Sequence, residues 1–146
     1  MTSIAVALNN MDFTLRSGGA KGADTAFENG ADLPEIYTVK SHDDDVDWPS
    51  AIATVNEFHP APERLSPYVT KLMARNAFQV LGSHLDTPTK FIICWAQGSV
   101  LDLEGRISSV SGGTGQAVRI AYANKIDVFN LAIPQHLERI STGLKL

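Results

Sequence analysis

The stretch Arg16-Ser17-Gly18-Gly19-Ala20-Lys21-Gly22-Ala23-Asp24 decides the fold. It follows a short apolar run, Phe13-Thr14-Leu15, and precedes a helix-like run from Ala23 to Asn29. Strand, glycine turn and helix in that order leave backbone N–H groups free at a helix start, where they can meet an anion. Glycine permits the positive φ and the close backbone approach that such a turn needs. Ser17 supplies a hydroxyl and Lys21 a charge. A second turn of similar make-up, Ser111-Gly112-Gly113-Thr114-Gly115-Gln116, precedes another helix-like run. Thr114 and Gln116 can play the same parts there. Two such turns in one small domain point to a phosphate-bearing ligand held between them. The plainer reading is that the glycines only let helices pack tightly on a sheet.

Strands and helices alternate on either side of these turns. Thr2 to Leu8 reads as a helix capped by Thr2 or Ser3 and ended by Asn9-Asn10. Phe13 to Arg16 is the first strand, and Ile36 to Val39 the second. Ala51 to Phe58 reads as a helix that stops at His59-Pro60. Ser66-Pro67 opens a helix that runs to about Leu81, with Gly82 as its stop and Val69, Leu72, Met73, Ala77 and Val80 as its apolar stripe. Phe91 to Trp95 is an apolar strand of the kind buried on both faces. Residues 96–110 form an insertion with a small hairpin from Val100 to Ile107. A helix from Gln116 to about Ala123 follows, with Ala117, Ile120 and Ala121 inward and Val118 outward. Ile126 to Leu131 is another buried strand. Ile133-Pro134 starts a last helix, with Leu137 and Ile140 inward. The alternation predicts one α/β domain over residues 1–146 with a parallel sheet.

A chain of 146 residues is long enough to bury a real core. Its 44% hydrophobic and 19% charged content matches a soluble globular protein. Net charge is −4, and no dense basic run exists to coat nucleic acid. No apolar run reaches membrane-spanning length, and no signal-peptide pattern opens the sequence. One cysteine, Cys94, makes no internal disulfide and reads as a small buried hydrophobe. A cytoplasmic, reducing location is expected.

Other residues carry two readings each. Asp24 sits in a first helical turn, one turn from Glu28. It either caps N–H groups there or holds a ribose hydroxyl. His59, before Pro60, is a general base, a ligand contact or a turn residue. Lys71 and Arg75, one turn apart, aim at a phosphate or form a solvated edge. Asp43, Asp44, Asp45 and Asp47 lack the glycine and terminal Glu of a calcium loop, so a solvated acidic loop is the reading. Trp48 either stacks on a base or packs against the domain. His42, His84 and His136 show no metal-site spacing.

Leu15 to Glu28 resembles the glycine-rich signature of the SLOG superfamily, which includes the DNA-processing protein A fold and the LOG phosphoribohydrolases. The likeness continues through Arg75-Asn76, Phe91 to Trp95, Gly112-Gly113-Thr114-Gly115 and Val128-Phe129-Asn130-Leu131. It is nearest to small bacteriophage-type members with the same SGGAxGAD and GGTGQA turns. The resemblance implies a Rossmann-like parallel sheet flanked by helices. It implies a nucleotide or nucleotide-derived ligand across the two turns, contacted by Arg16, Ser17, Gly18, Gly19, Lys21, Asp24, Trp48, His59, Arg75, Asn76, Trp95, Gly112, Gly113, Thr114, Gly115 and Gln116. No cofactor or metal is expected. Two departures stand out. The chain starts with a helix where members start with a strand, so the usual first strand is lacking. The LOG enzymes carry PGGxGTxxE, and Arg119 stands where its catalytic Glu belongs. Arginine suits phosphate binding more than glycosidic hydrolysis.

The sequence therefore predicts a binding protein that sequesters a nucleotide signal, in a phage setting a counter-defence role in the host cytoplasm. An alternative is a phosphoribohydrolase or nucleotide hydrolase using Asp24, Glu28 or His59. A third is a single-strand DNA binder, which the acidic balance opposes. A homodimer or larger assembly is expected.

Overall fold

Helix α1 (Thr2–Asn10) leads through a turn at Asp12 into the short strand β1 (Arg16–Ser17). The first glycine turn and helix α2 (Ala23–Glu28) follow, then strand β2 (Glu35–Ile36). Helices α3 (Trp48–Phe58) and α4 (Pro67–Leu81) flank a 3-10 turn at Pro62–Arg64. Strand β3 (Phe91–Cys94) is followed by the hairpin β4 (Val100–Leu101) and β5 (Ile107–Ser109). Helix α5 (Gly112–Ala123), strand β6 (Asp127–Asn130) and helix α6 (Pro134–Leu144) complete the chain. This computed structural model describes residues 1–110 and 112–146. Ser111, part of the second turn, lies outside the described residues.

The protein is mixed α/β. β1 pairs with β2 and β3 with β6, both in parallel, while β4 and β5 are antiparallel. Parallel pairs need crossovers, and here α2 joins β1 to β2 while α5 lies between β3 and β6 in the chain. Side chains of β3 alternate between two apolar clusters. Phe91 and Ile93 join Ile4, Ala5 and Phe27 from α1 and α2, with Ile140 from α6. Ile92 and Cys94 join a larger cluster around Phe78, Val55 and Ile120, from α4, α3 and α5. β3 thus has helices on both faces, which is why its sequence reads as an unbroken apolar run.

The caps explain where helices begin. The Ser66 hydroxyl accepts the Val69 N–H, and Pro67 costs nothing in a first turn. Asp47 does the same for α3, accepting the Ser50 N–H ahead of Pro49. That cap starts α3 at Trp48, three residues before the predicted Ala51. β1 is displaced to Arg16–Ser17, although the Leu15 carbonyl still accepts the Glu35 N–H. β2 ends early because Thr38 and Ser41 close a turn on each other. α1 has no side-chain cap, so Thr2 and Ser3 do not serve as one. Thr2 instead donates to the Ala26 carbonyl and ties α1 to α2.

Two expected orientations are corrected. Val118 is buried, because the β4–β5 hairpin packs over it through Ile107. Leu137 is exposed, and His136 takes the inward place beside Ile140. The His136 Nδ1 accepts the Asn130 N–H, and its Nε2 meets the Gly105 carbonyl at 2.8 Å. These two bonds set the rotation of α6. Among the described residues, no helix is long and apolar enough to cross a membrane.

Candidate functional site

Arg75 and Asn76, neighbours on α4, reach the two glycine turns. The Arg75 Nη1 donates to the Gly18 carbonyl at 2.8 Å. The Asn76 Nδ2 lies 3.5 Å from the point where a Cβ on Gly113 would sit. One turn of one helix therefore touches both bends. α4 can hold them together because its inner face is locked by Ala74, Ala77 and Phe78, all fully buried.

The first turn is closed by its own residues. Asp24 accepts the Ala20 N–H through Oδ2 at 3.1 Å, and Thr25 donates back to the Ala20 carbonyl. Asp24 thus closes the turn ahead of α2, while α2 itself has no side-chain cap. Gly19 and Gly22 hold positive φ angles of 70° and 90°, which few other residues tolerate. The first helical bond runs from the Ala26 N–H to the Gly22 carbonyl, so the donors ahead of it have no helical acceptor. Lys21 is exposed beside them. A Cβ on Gly18 would stand 2.7 Å from the Gln79 Nε2 and 3.2 Å from the Arg75 guanidinium carbon. A side chain at residue 18 would therefore displace the ends of the Gln79 and Arg75 side chains.

The second turn is the start of α5. Gly112 is exposed with φ 70°, and Gly113 and Thr114 are half-buried. Their N–H groups sit at the positive end of a helix of 12 residues. Arg75 has a buried Nε with no partner among the described residues. Trp95, the residue after β3, is 47% exposed.

Several expected contacts are spent elsewhere. Arg16 pairs with Glu35 at 3.1 Å and donates to Thr87, so it ties β1 to its neighbours. Ser17 is buried and donates to the Glu28 Oε1 at 2.6 Å. Trp48 is 6% exposed, packed edge-on to Phe78 with centroids 5.0 Å apart, and cannot stack on a base. Its Nε1 donates to the Ser41 carbonyl, and the Lys71 ammonium covers its ring at 4.4 Å. Lys71 is thereby accounted for as well. Gln116 is fully buried and donates to the Thr54 carbonyl, joining α5 to α3. Gly115 packs against the Val110 backbone. The His59 Nδ1 accepts the Ala61 N–H, so His59 serves its own turn. Arg119 donates to the Gln116 Oε1 at 3.1 Å, and burial lowers its pKa.

Asn130 is a residue that sequence reasoning missed. Fully buried at the end of β6, its Oδ1 accepts the Ala96 and Ala132 N–H groups. Its Nδ2 donates to the Ala96 carbonyl and the Ser99 hydroxyl. Asn130 thus shapes the loop that carries Trp95. An asparagine closing an apolar strand was the available signal.

No group of three or more His, Cys, Asp or Glu that could hold a metal ion occurs among the described residues. Burial pushes the Cys94 thiol up to about 12 from 9.0, and burial with the Glu35 hydrogen bond pushes Tyr37 up to about 12 from 10.0. Both groups are neutral in the fold. Their contribution is complete below pH 9.0 and fades as pH climbs toward about 12, where the unfolded chain ionises first. The urea midpoint should fall over that window. A thiol reagent at neutral pH should label Cys94 slowly in the native protein and fast in urea; equal rates contradict this.

No protein-family model, curated protein or solved structure matches the chain.

Proposed function

We propose that the chain binds a nucleotide or nucleotide-derived signal, its phosphate held between the first glycine turn and the start of α5. One observation carries this reading: adjacent residues of α4, Arg75 and Asn76, approach the two bends. The Arg75 guanidinium beside Gly18 and the exposed Lys21 add positive charge, and the half-exposed Trp95 offers a ring for a base. The reading places the chain with the SLOG superfamily and its α/β body with the Rossmann-like folds, in keeping with two parallel strand pairs flanked by helices.

Holding the ligand is favoured over cleaving it. The carboxylates and imidazole that hydrolysis would need are engaged locally: Asp24 with Ala20, Glu28 with Ser17, His59 with Ala61. Arg119 occupies the position where a LOG-type carboxylate is required. Sequestration of a phage-sensing nucleotide by a small cytoplasmic protein, assembled as a homo-oligomer, is the corresponding role.

The test is titration with AMP, ADP-ribose and a cyclic dinucleotide, followed by release and analysis of the bound molecule. A tight complex that returns its ligand intact supports the proposal. A freed base or ribose phosphate overturns it. Arg75→Ala should weaken binding about ten- to a hundredfold, the worth of a hydrogen bond to a charged group.

A further inference from the structure

Among the described residues, β1 is bonded only to β2 and β3 only to β6, so each keeps an unpaired edge. Both edges border one cavity of 440 Å³. Phe13 to Ser17 line one flank, and Pro88 to Ile93 line the other. The backbone groups that face it follow from the ladders. The Leu15 and Ser17 carbonyls accept from Glu35 and Tyr37, so they point at β2. Successive residues of a strand alternate in direction, and the N–H and C=O of Arg16 face the cavity. The Cys94 carbonyl accepts from Leu131, beyond the end of β6. By the same alternation, Phe91 and Ile93 present their backbone to the cavity.

The remaining walls are mixed, with Asn9, Asp12, Asp24 and Gln79 among apolar side chains. Ala5 and Leu8 of α1 and Phe27 of α2 lie on one side, and Val80 of α4 and Ala117 of α5 on the other. Partly buried N–H and C=O groups without partners cost about 1–3 kcal/mol each. A space with unpaired strand edges on two flanks has the bonding needs of an extended chain. The flank from Phe13 to Ser17 is matched by a segment of about five residues at about 3.3 Å each.

We propose that this slot is the docking site for an extended, apolar segment of a partner polypeptide, which enters as a strand bonded to both β1 and β3. A strand buried on both faces is rich in Val and Ile, and Ala5 and Ala117 leave room for branched side chains. Such addition to a sheet edge draws affinity from backbone bonds and selectivity from side-chain pockets. The inference stands apart from the nucleotide reading, whose residues lie in the turns.

The test uses the full chain and a synthetic capped peptide, Lys-Lys-Val-Val-Ile-Val-Gly-Lys-Lys, followed by fluorescence anisotropy and amide exchange. Saturable binding is expected, with slowed exchange at Arg16, Phe91 and Ile93. Replacing the peptide's Ile by Pro removes a donor and should weaken binding about tenfold or more. No binding, equal binding of the Pro peptide, or protection confined to other amides overturns the proposal. Protection of the same three amides in a self-dimer without peptide also overturns it, since a second copy would then fill the slot.

Discussion

Phe78→Ala is expected to cost about 3–5 kcal/mol, a large part of the stability of a domain this size. Phe78 is fully buried at the centre of the larger apolar cluster. Its ring meets Trp48 edge-on at 5.0 Å and Tyr37 at 5.7 Å. Truncation removes both aromatic contacts and leaves a void that α3 and α4 cannot fill without moving. Tyr68→Ala, on the exposed side of the same helix, should change stability little. Urea denaturation of both variants checks this. Similar midpoints for the two would show that the cluster around α4 is not the centre of the fold.

Gly115→Val should also be severely destabilising, by about 3 kcal/mol or more. A Cβ there would stand 2.1 Å from the Val110 carbonyl oxygen and 3.0 Å from its carbon. Those are backbone atoms of the segment just before α5, so no side-chain rotation relieves the clash. The start of α5 would have to pull away from the hairpin that covers Val118. Gly143→Ala is the matched control, because among the described residues beyond its own helix turn no atom lies within 4 Å of its Cβ position. At the next-to-last residue of α6 it should gain less than the about 1 kcal/mol that Ala gains over Gly in a helix interior. Thermal unfolding of the pair should move the midpoint in opposite directions. A neutral Gly115→Val would mean that the glycine is there for the ligand and not for packing.

That contrast shows what the amino-acid order discloses. Ser66-Pro67 and Gly82 bracket α4 with a cap and a stop, and the helix lies there. Phe91 to Cys94 is apolar throughout because it is covered on both faces. Strands of two residues, such as β1 and β2, hold too few positions for periodicity to fix their limits. The glycines of the two turns were legible as a pair, but their separate duties were not. Gly115 serves backbone packing, Gly18 admits the side chains of α4, and Gly19 and Gly22 supply positive φ.

Polar side chains were the least legible. Gln116, Ser17 and Arg16 look like ligand contacts when the turn motif is read along the chain. Each is instead claimed by a partner distant in sequence: Thr54, Glu28, and Glu35 with Thr87. Long-range partners of this kind leave no local signal. Trp48 is drawn into the core by the Asp47 cap, which starts its helix early and turns the indole toward Phe78.

The most direct measurement of the central claim is a nitrogen-edited NMR titration of the labelled protein with ADP-ribose and with a cyclic dinucleotide. Amides of both bends, Gly19 and Lys21 in the first and Gly113 and Thr114 in the second, are expected to shift together along one binding curve. Shifts confined to one bend, or curves with different midpoints for the two, would contradict a single phosphate-bearing guest between them.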